Sequence, residues 1–294
     1  MARLWWSLGV PGLFLVLWAA GYVVAKIALQ FAAPMAILGL RYTLVVGIMA
    51  VLFVIIRPPL PKRRVDWLHL GFVGFLMQTV YFGMAYFAFV NGVPAGVAAL
   101  IFSIQPILVA LIAPRWSGEA IAPWQWVGLI LALMGTAVVI ISRLGIAAPP
   151  VLGFSLAALA LLGITLATLW EKRFGLSHHP ITANLIGFSA GLLGLLPFLR
   201  LSEFAQITWA GDFIWAMAYL VIGNSVIAVG LLLAMIRRGE VGKISALLFL
   251  VPPVTAVMAW LTLDEIMPPV AWVGFAAAGV GVWMATRPRP RRNA

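Results

Sequence analysis

The chain has 294 residues, 64% of them hydrophobic and only 9% charged, with a formal net charge of +11. Soluble domains carry charge on roughly a quarter of their residues, so an aqueous globular fold is excluded and an integral membrane protein remains. There is no cysteine, which also excludes disulfides, thiol nucleophiles and thiolate metal sites.

Apolar stretches follow in chain order near 5–29, 35–56, 67–90, 96–113, 124–141, 151–170, 181–199, 213–236, 244–262 and 269–286. Each approaches the ~20 residues that a spanning helix needs, so the sequence predicts an all-α integral membrane protein with ten transmembrane helices. The separators are short and hold breakers or charges: Pro34, RPPLPKRRVD (57–66), NGVP (91–94), Pro123, APP (148–150), His178 to Pro180, RRGE (237–240) and PP (268–269). The first stretch follows Arg3 but is far longer than the ~7–15 apolar residues of a signal peptide, and it is read as a helix.

Sorting Lys and Arg by alternate loops places 15 of the 19 on one side: Arg3, Arg57, Lys62, Arg63, Arg64, Arg115, Lys172, Arg173, Arg237, Arg238, Lys243, Arg287, Arg289, Arg291 and Arg292. The other side's loops hold Arg143 and Arg200, while Lys26 and Arg41 lie within or at the ends of the first two stretches. The positive-inside rule then puts both termini in the cytoplasm, with the chain in the cell (inner) membrane. The basic tail RPRPRR (287–292) reads as a contact with anionic lipid headgroups at the cytoplasmic face and not as a nucleic-acid site. Trp5, Trp6, Trp67, Trp124 and Trp209 sit at stretch ends, where interface anchors are expected.

The sequence repeats itself at an offset of 146: Gly96, Pro106, Glu119, Pro123, Trp126, Gly128 and Gly135 fall on Gly242, Pro252, Glu265, Pro269, Trp272, Gly274 and Gly281. Lys26, Pro34 and Asp66 fall on Lys172, Pro180 and Asp212. Five helices per half is an odd number, so residues 147–294 enter the membrane from the opposite side to residues 1–146. Two inverted five-helix repeats are the architecture of secondary transporters, with a site near the midplane.

The stretch WAAGYVVAK (18–26), Pro34 with LRY (40–42), PAGVAALIFSIQPILVALIAPRWSGE (94–119) and its echo RRGEVGKISALLFLVPPVTAVMAWLTLDE (237–265) followed by WVGFAAAGVGVW (272–283) resemble the EamA family of the drug/metabolite transporter superfamily. The resemblance covers essentially the whole chain, and within the family it is nearest to aromatic amino-acid exporters of the YddG type. It implies ten helices, alternating access, and a central cavity lined by the first, third, fourth, sixth, eighth and ninth of them. It also implies a carrier that moves amino acids outward. A non-amino-acid neutral solute, or a channel-like facilitator, is the alternative.

Polar groups at membrane depth are costly, which makes them functional candidates. Gln78 and Asn224 fall at the middles of their stretches, 146 residues apart, and their amides can donate and accept to a zwitterion. Tyr81 and Phe82, at i+3 and i+4 from Gln78, are expected on its helical face. Trp18 with Tyr22, and Phe102 with Gln105, complete a substrate-binding set of Trp18, Tyr22, Gln78, Tyr81, Phe82, Phe102, Gln105 and Asn224. Pro106 and Pro252, near mid-helix, are expected hinges. The small faces Gly128, Ala132, Gly135 and Gly274, Ala278, Gly281 are expected to pack. Lys26 and Arg41 are basic groups that could face the cavity and attract a substrate carboxylate; Lys26 has a repeat counterpart and is read as structural, whereas Gly187 stands at the position equivalent to Arg41.

The acids are Asp66, Glu119, Glu171, Glu203, Asp212, Glu240, Asp264 and Glu265, all in loops or at stretch ends. A carrier of cationic drugs needs a carboxylate in the membrane, so a neutral or zwitterionic cargo is expected, with no proton-coupling site. Metalloprotease, prenyltransferase or acyltransferase chemistry needs an H-E-x-x-H, an Asp-rich cluster or a His/Asp pair, which His69, His178 and His179 do not supply. The chain is therefore expected not to be an enzyme and to act without a cofactor or metal, as a monomer on a small-molecule substrate.

Overall fold

A computed structural model describes residues 9–93, 98, 101–117, 122–142, 150–174, 178–238, 247–262 and 268–286. Among them all regular structure is helical. In chain order the helices are α1 Val10–Ala28, α2 Pro34–Ile56, α3 Arg64–Val90, α4 Gln105–Ser117 and α5 Pro123–Ile141. They continue with α6 Val151–Phe174, α7 Pro180–Leu195, α8 Gly211–Met235, α9 Val251–Thr262 and α10 Pro269–Thr286. A one-turn helix, Leu201–Ala205, links α7 to α8. Six of these segments, in α1, α2, α3, α6, α7 and α8, are long and apolar enough to cross a membrane. Large apolar side chains such as Val54, Ile55, Leu68, Leu152 and Val273 stand on the outside, an arrangement suited to hydrocarbon and not to water. Arg3, Trp5, Trp6, Glu119, Arg143, Glu240, Lys243, Asp264, Glu265 and the tail from residue 287 lie outside the described residues.

The breakers act as the sequence suggests at most helix ends. Pro11, Pro34 and Pro180 open α1, α2 and α7, where a missing N–H costs nothing and the ring presets φ. Arg57 closes α2 in the left-handed conformation, with φ 49, ahead of Pro58 and Pro59. Gly92, with φ 81, turns the chain after α3.

Two features depart from regular helices. The middle of α3, Phe75–Gly83, and the middle of α8, Tyr219–Ala228, are π-helical. A π segment adds a residue to each turn and rotates the side chains that follow it relative to an α-helix. The expected hinge prolines also sit differently from the sequence reading. Pro106 and Pro252 are not mid-helix but second residues of α4 and α9, each following a turn, at Ser103–Ile104 and Phe249–Leu250. The ring that clashes with the carbonyl four residues back, and the missing N–H, end the preceding helical turn outright instead of bending a continuous helix. These two turns lie 146 residues apart. Thr136 Oγ1 donates to the Phe249 carbonyl at 3.0 Å, satisfying a group that the break leaves open.

α1 packs against α8 and α9, α2 against α7 and α8, α3 against α6 and α7, and α4 against α6. α5 and α10 pair with each other through their small residues. A Cβ on Gly128 would lie 2.6 Å from the Gly281 carbonyl oxygen, and one on Gly135 would lie 2.6 Å from that of Gly274. The two backbones touch as the Gly and Ala pattern predicts.

Candidate functional site

The site lies between α1 and α3, which meet through their side chains. The Tyr22 and Tyr81 hydroxyls meet at 2.8 Å, tying the two helices at one point. The Trp18 indole lies parallel to the Tyr81 ring, with 9° between planes and 6.5 Å between centroids. Phe82 leans on both, at 6.1 Å from Trp18 and 4.7 Å from Tyr81, and Phe102 meets the edge of Tyr81 at 5.5 Å. Four aromatic rings thus share one core, with the hydroxyl pair as its polar centre.

A crevice opens on either side of that core. On one side Trp18, Tyr22, Tyr81, Phe102, Gln105 and Pro252 line a space that reaches the turns before α4 and α9. Gln105 donates to Thr168 Oγ1 at 3.3 Å, while its Oε1 is buried without a partner. On the other side Trp18, Tyr22, Tyr81 and Phe82 continue to Gly21, Tyr86, Asn224 and Arg41. Each space has room for about one to two water molecules, so a metabolite enters only when the surrounding helices part.

The structure therefore brings Trp18, Tyr22, Tyr81, Phe82, Phe102, Gln105 and Asn224 to one place. Gln78 is not among them. It faces a separate crevice between α3, α6, α7 and α8, lined also by Glu171, Asn184, Gly187 and Phe188. Its Oε1 is buried without a partner, and its stem is pressed by α7, since a Cβ on Gly191 would lie 2.8 Å from Gln78 Cγ. The expected shared face of Gln78, Tyr81 and Phe82 assumed α-helical spacing. The π segment that holds all three advances each residue by a smaller angle, which carries Tyr81, three residues on, away from the Gln78 face toward α1 while Gln78 turns toward α7.

Arg41 is the group that the sequence reading undervalued. It lies seven residues inside α2, about 10 Å along the axis, and is 1% exposed. Its Nε donates to Ser225 Oγ and an Nη2 hydrogen donates to Asn224 Oδ1, both at 2.6 Å. The π segment of α8 presents these two acceptors side by side. Asn224 in turn donates to the Leu17 carbonyl at 3.4 Å. Glycine at position 21 makes that reach possible: a Cβ there would stand 3.1 Å from Asn224 Cγ. The signal for Arg41 was present, because an ionisable residue inside an apolar stretch marks function by default. Lys26, by contrast, is exposed.

Glu171 also departs from expectation. It falls near the end of α6, as the sequence placed it, yet it is 3% exposed and lines the Gln78 crevice. Close by in sequence, Trp170 Nε1 donates to His69 Nδ1 at 3.1 Å. His69 stacks on Phe174 with 4° between planes, and Trp116 joins both α6 rings. This aromatic cluster closes the bundle where α3 begins and α4 and α6 end. Among the described residues no three His, Asp or Glu stand together as metal ligands would.

Comparison with known proteins agrees with this architecture. The sequence profile of the EamA-like transporter family matches residues 8–141 and again residues 151–287. An Escherichia coli K12 protein named "Probable amino-acid metabolite efflux pump" is 26% identical over 283 residues, covering 92% of either chain. A Streptantibioticus cattleyicolor protein named "Probable terminal-alkyne amino-acid exporter" is 27% identical over 202 residues, covering 66% of this chain and 65% of that one. A crystal structure superposes with a TM-score of 0.77 at 19% identity, covering 94% of this chain and 96% of the other, which shows a shared fold. The chain belongs to the EamA-like transporter family. It is a multi-pass membrane transporter of small molecules and not an enzyme.

Proposed function

We propose that this transporter exports amino acids, aromatic and other neutral ones, across the inner membrane by alternating access. The observation that carries the reading is the Tyr22–Tyr81 hydroxyl pair set among Trp18, Phe82 and Phe102. An apolar, ring-lined space with a few placed polar groups suits a small amphipathic solute, and ring stacking adds about 0.5–1.5 kcal/mol beyond burial. The names of the Escherichia coli and Streptantibioticus relatives support amino-acid cargo.

The proposed architecture is ten spans in two inverted repeats, residues 1–146 and 147–294, acting as a monomer with both termini cytoplasmic and the basic tail on anionic lipid. The family profile matching twice, and the paired breaks before α4 and α9, support the repeat. Broken helices at corresponding positions are where transporters of this kind place a site, and Pro106 and Pro252 mark those breaks as the hinges. Trp18, Tyr22, Tyr81, Phe82, Phe102, Gln105 and Asn224 form the substrate site, without Gln78.

The test is counterflow in proteoliposomes with a panel of labelled amino acids, nucleosides and sugars. Saturable exchange of aromatic and aliphatic amino acids, lowered by Trp18→Ala and Tyr81→Ala, is the expected result. Unsaturable flux, or exchange confined to nucleosides or sugars, contradicts it.

A further inference from the structure

Arg41 is a buried cation, and among the described residues no carboxylate pairs with it. Its guanidinium carries five N–H donors, of which the bonds to Ser225 Oγ and Asn224 Oδ1 use two, and the buried Tyr86 hydroxyl stands beside it as a further neutral neighbour. The Phe82 ring lies 4.7 Å from its central carbon and the Tyr42 ring 5.9 Å away. Neutral acceptors and ring faces soften the charge without cancelling it. A cation taken out of water needs an opposite charge with good geometry to recover its desolvation cost, and arginine stays protonated where lysine or histidine would shed the proton.

A purely structural role explains this arrangement poorly. If the task were to tie α2 to α8, an uncharged side chain could bond Asn224 and Ser225 at a far smaller desolvation cost. The repeat counterpart of Arg41 is Gly187, which lets α3 and α7 approach without any tether: a Cβ on Gly74 would lie 2.6 Å from the Gly187 carbonyl carbon. Arg41 instead also lines the crevice that Trp18, Tyr81 and Phe82 share.

We infer that Arg41 is the carboxylate-binding group of the cavity. Its free N–H donors receive the carboxylate of a zwitterionic amino acid or a small amphipathic acid, whose apolar part lies against Trp18, Tyr81 and Phe82. Asn224 and Ser225 hold the guanidinium plane in place, so that the paired, charge-assisted geometry is set before cargo arrives. This rests on the reading of the ring-lined cavity as the substrate site and narrows it. Cargo carries a carboxylate, and solutes that share the ring but lack the acid are refused.

The experiment is thermal stabilisation of the purified full chain by three probes that share a phenyl ring: L-phenylalanine, 3-phenylpropionate and L-phenylalaninamide. It is repeated on Arg41→Lys, Arg41→Met and, as a control, Lys26→Met. The wild type and Lys26→Met are expected to be stabilised by the two acids at concentrations well below those the amide needs. Arg41→Lys keeps the charge but loses the planar fork, so the apparent affinity for the acids falls by roughly 10- to 100-fold, the loss of one or two charge-assisted hydrogen bonds. Arg41→Met removes the preference for acid over amide, and without a ligand it is as stable as the wild type or more so, whereas a tether predicts a less stable protein.

Equal stabilisation by acid and amide in the wild type, or a preference that survives in Arg41→Lys and Arg41→Met, overturns the assignment and leaves the aromatic-cavity reading standing. Stabilisation by none of the three probes overturns both. If Arg41→Met does not fold, Arg41→Lys alone decides: an unchanged acid preference overturns the assignment.

Discussion

The crevice holding Arg41 and the crevice holding Gln78 are lined by positions 146 residues apart, yet they are used differently. Asn224 corresponds to Gln78, Arg41 to Gly187 and Ala25 to Glu171. In the first crevice Arg41 and six aromatic residues line a space that also holds Asn224. In the second, Gly74, Gly187 and Gly191 draw α3 and α7 into backbone contact, Thr79 Oγ1 donates to the Gly191 carbonyl at 2.9 Å, and the amide of Gln78 is caught in the contact. One crevice is thus mainly packing, and the other is the one we propose as the binding surface.

The largest expected effect that separates them is on stability. Gly74→Val puts a branched side chain where the Gly187 backbone lies and should cost about 3 kcal/mol, read as a lower melting temperature in detergent. Gly21→Ala should cost much less stability, because its added methyl meets only the movable Asn224 amide. It should still weaken amino-acid binding by roughly tenfold by displacing the residue that positions Arg41. If both variants lose stability equally, the distinction between packing and binding crevices fails. A smaller effect is expected from Glu171→Gln, which should leave the acid-over-amide preference within about twofold, as for a distant and independent site. A loss of that preference would join the two crevices into one site.

Much of the fold was legible because it rests on strong local rules. Apolar runs, opening prolines, and the Gly128, Gly135, Gly274 and Gly281 spacing all point to the helices and to the α5–α10 contact that the structure contains. The site was legible in part. Trp18, Tyr22, Tyr81 and Asn224 come together, but Gln78 does not, because no local residue pattern announces a π segment and α-helical spacing misplaces its faces. Pro106 and Pro252 were found by pattern, yet whether a proline kinks a helix or begins a new one depends on what satisfies the freed carbonyls, here Thr136 on a neighbouring helix. Arg41 is legible in the sequence as a group that could attract a carboxylate, but not as part of the ring-lined set. Its burial arises from α8 crossing α2, a tertiary fact, and the missing counterpart is what makes the two crevices unlike.

We propose that cargo is held in the crevice shared by α1, α2, α3 and α8. The most direct test is the KM for labelled L-phenylalanine in counterflow, measured in parallel for the wild type, Asn224→Ala and Gln78→Ala. Asn224→Ala should raise KM by roughly 10- to 100-fold, because it releases a hydrogen bond to a charged group in the site, while Gln78→Ala should change it by no more than about twofold. Equal effects of the two substitutions, or a larger effect of Gln78→Ala, would contradict the claim.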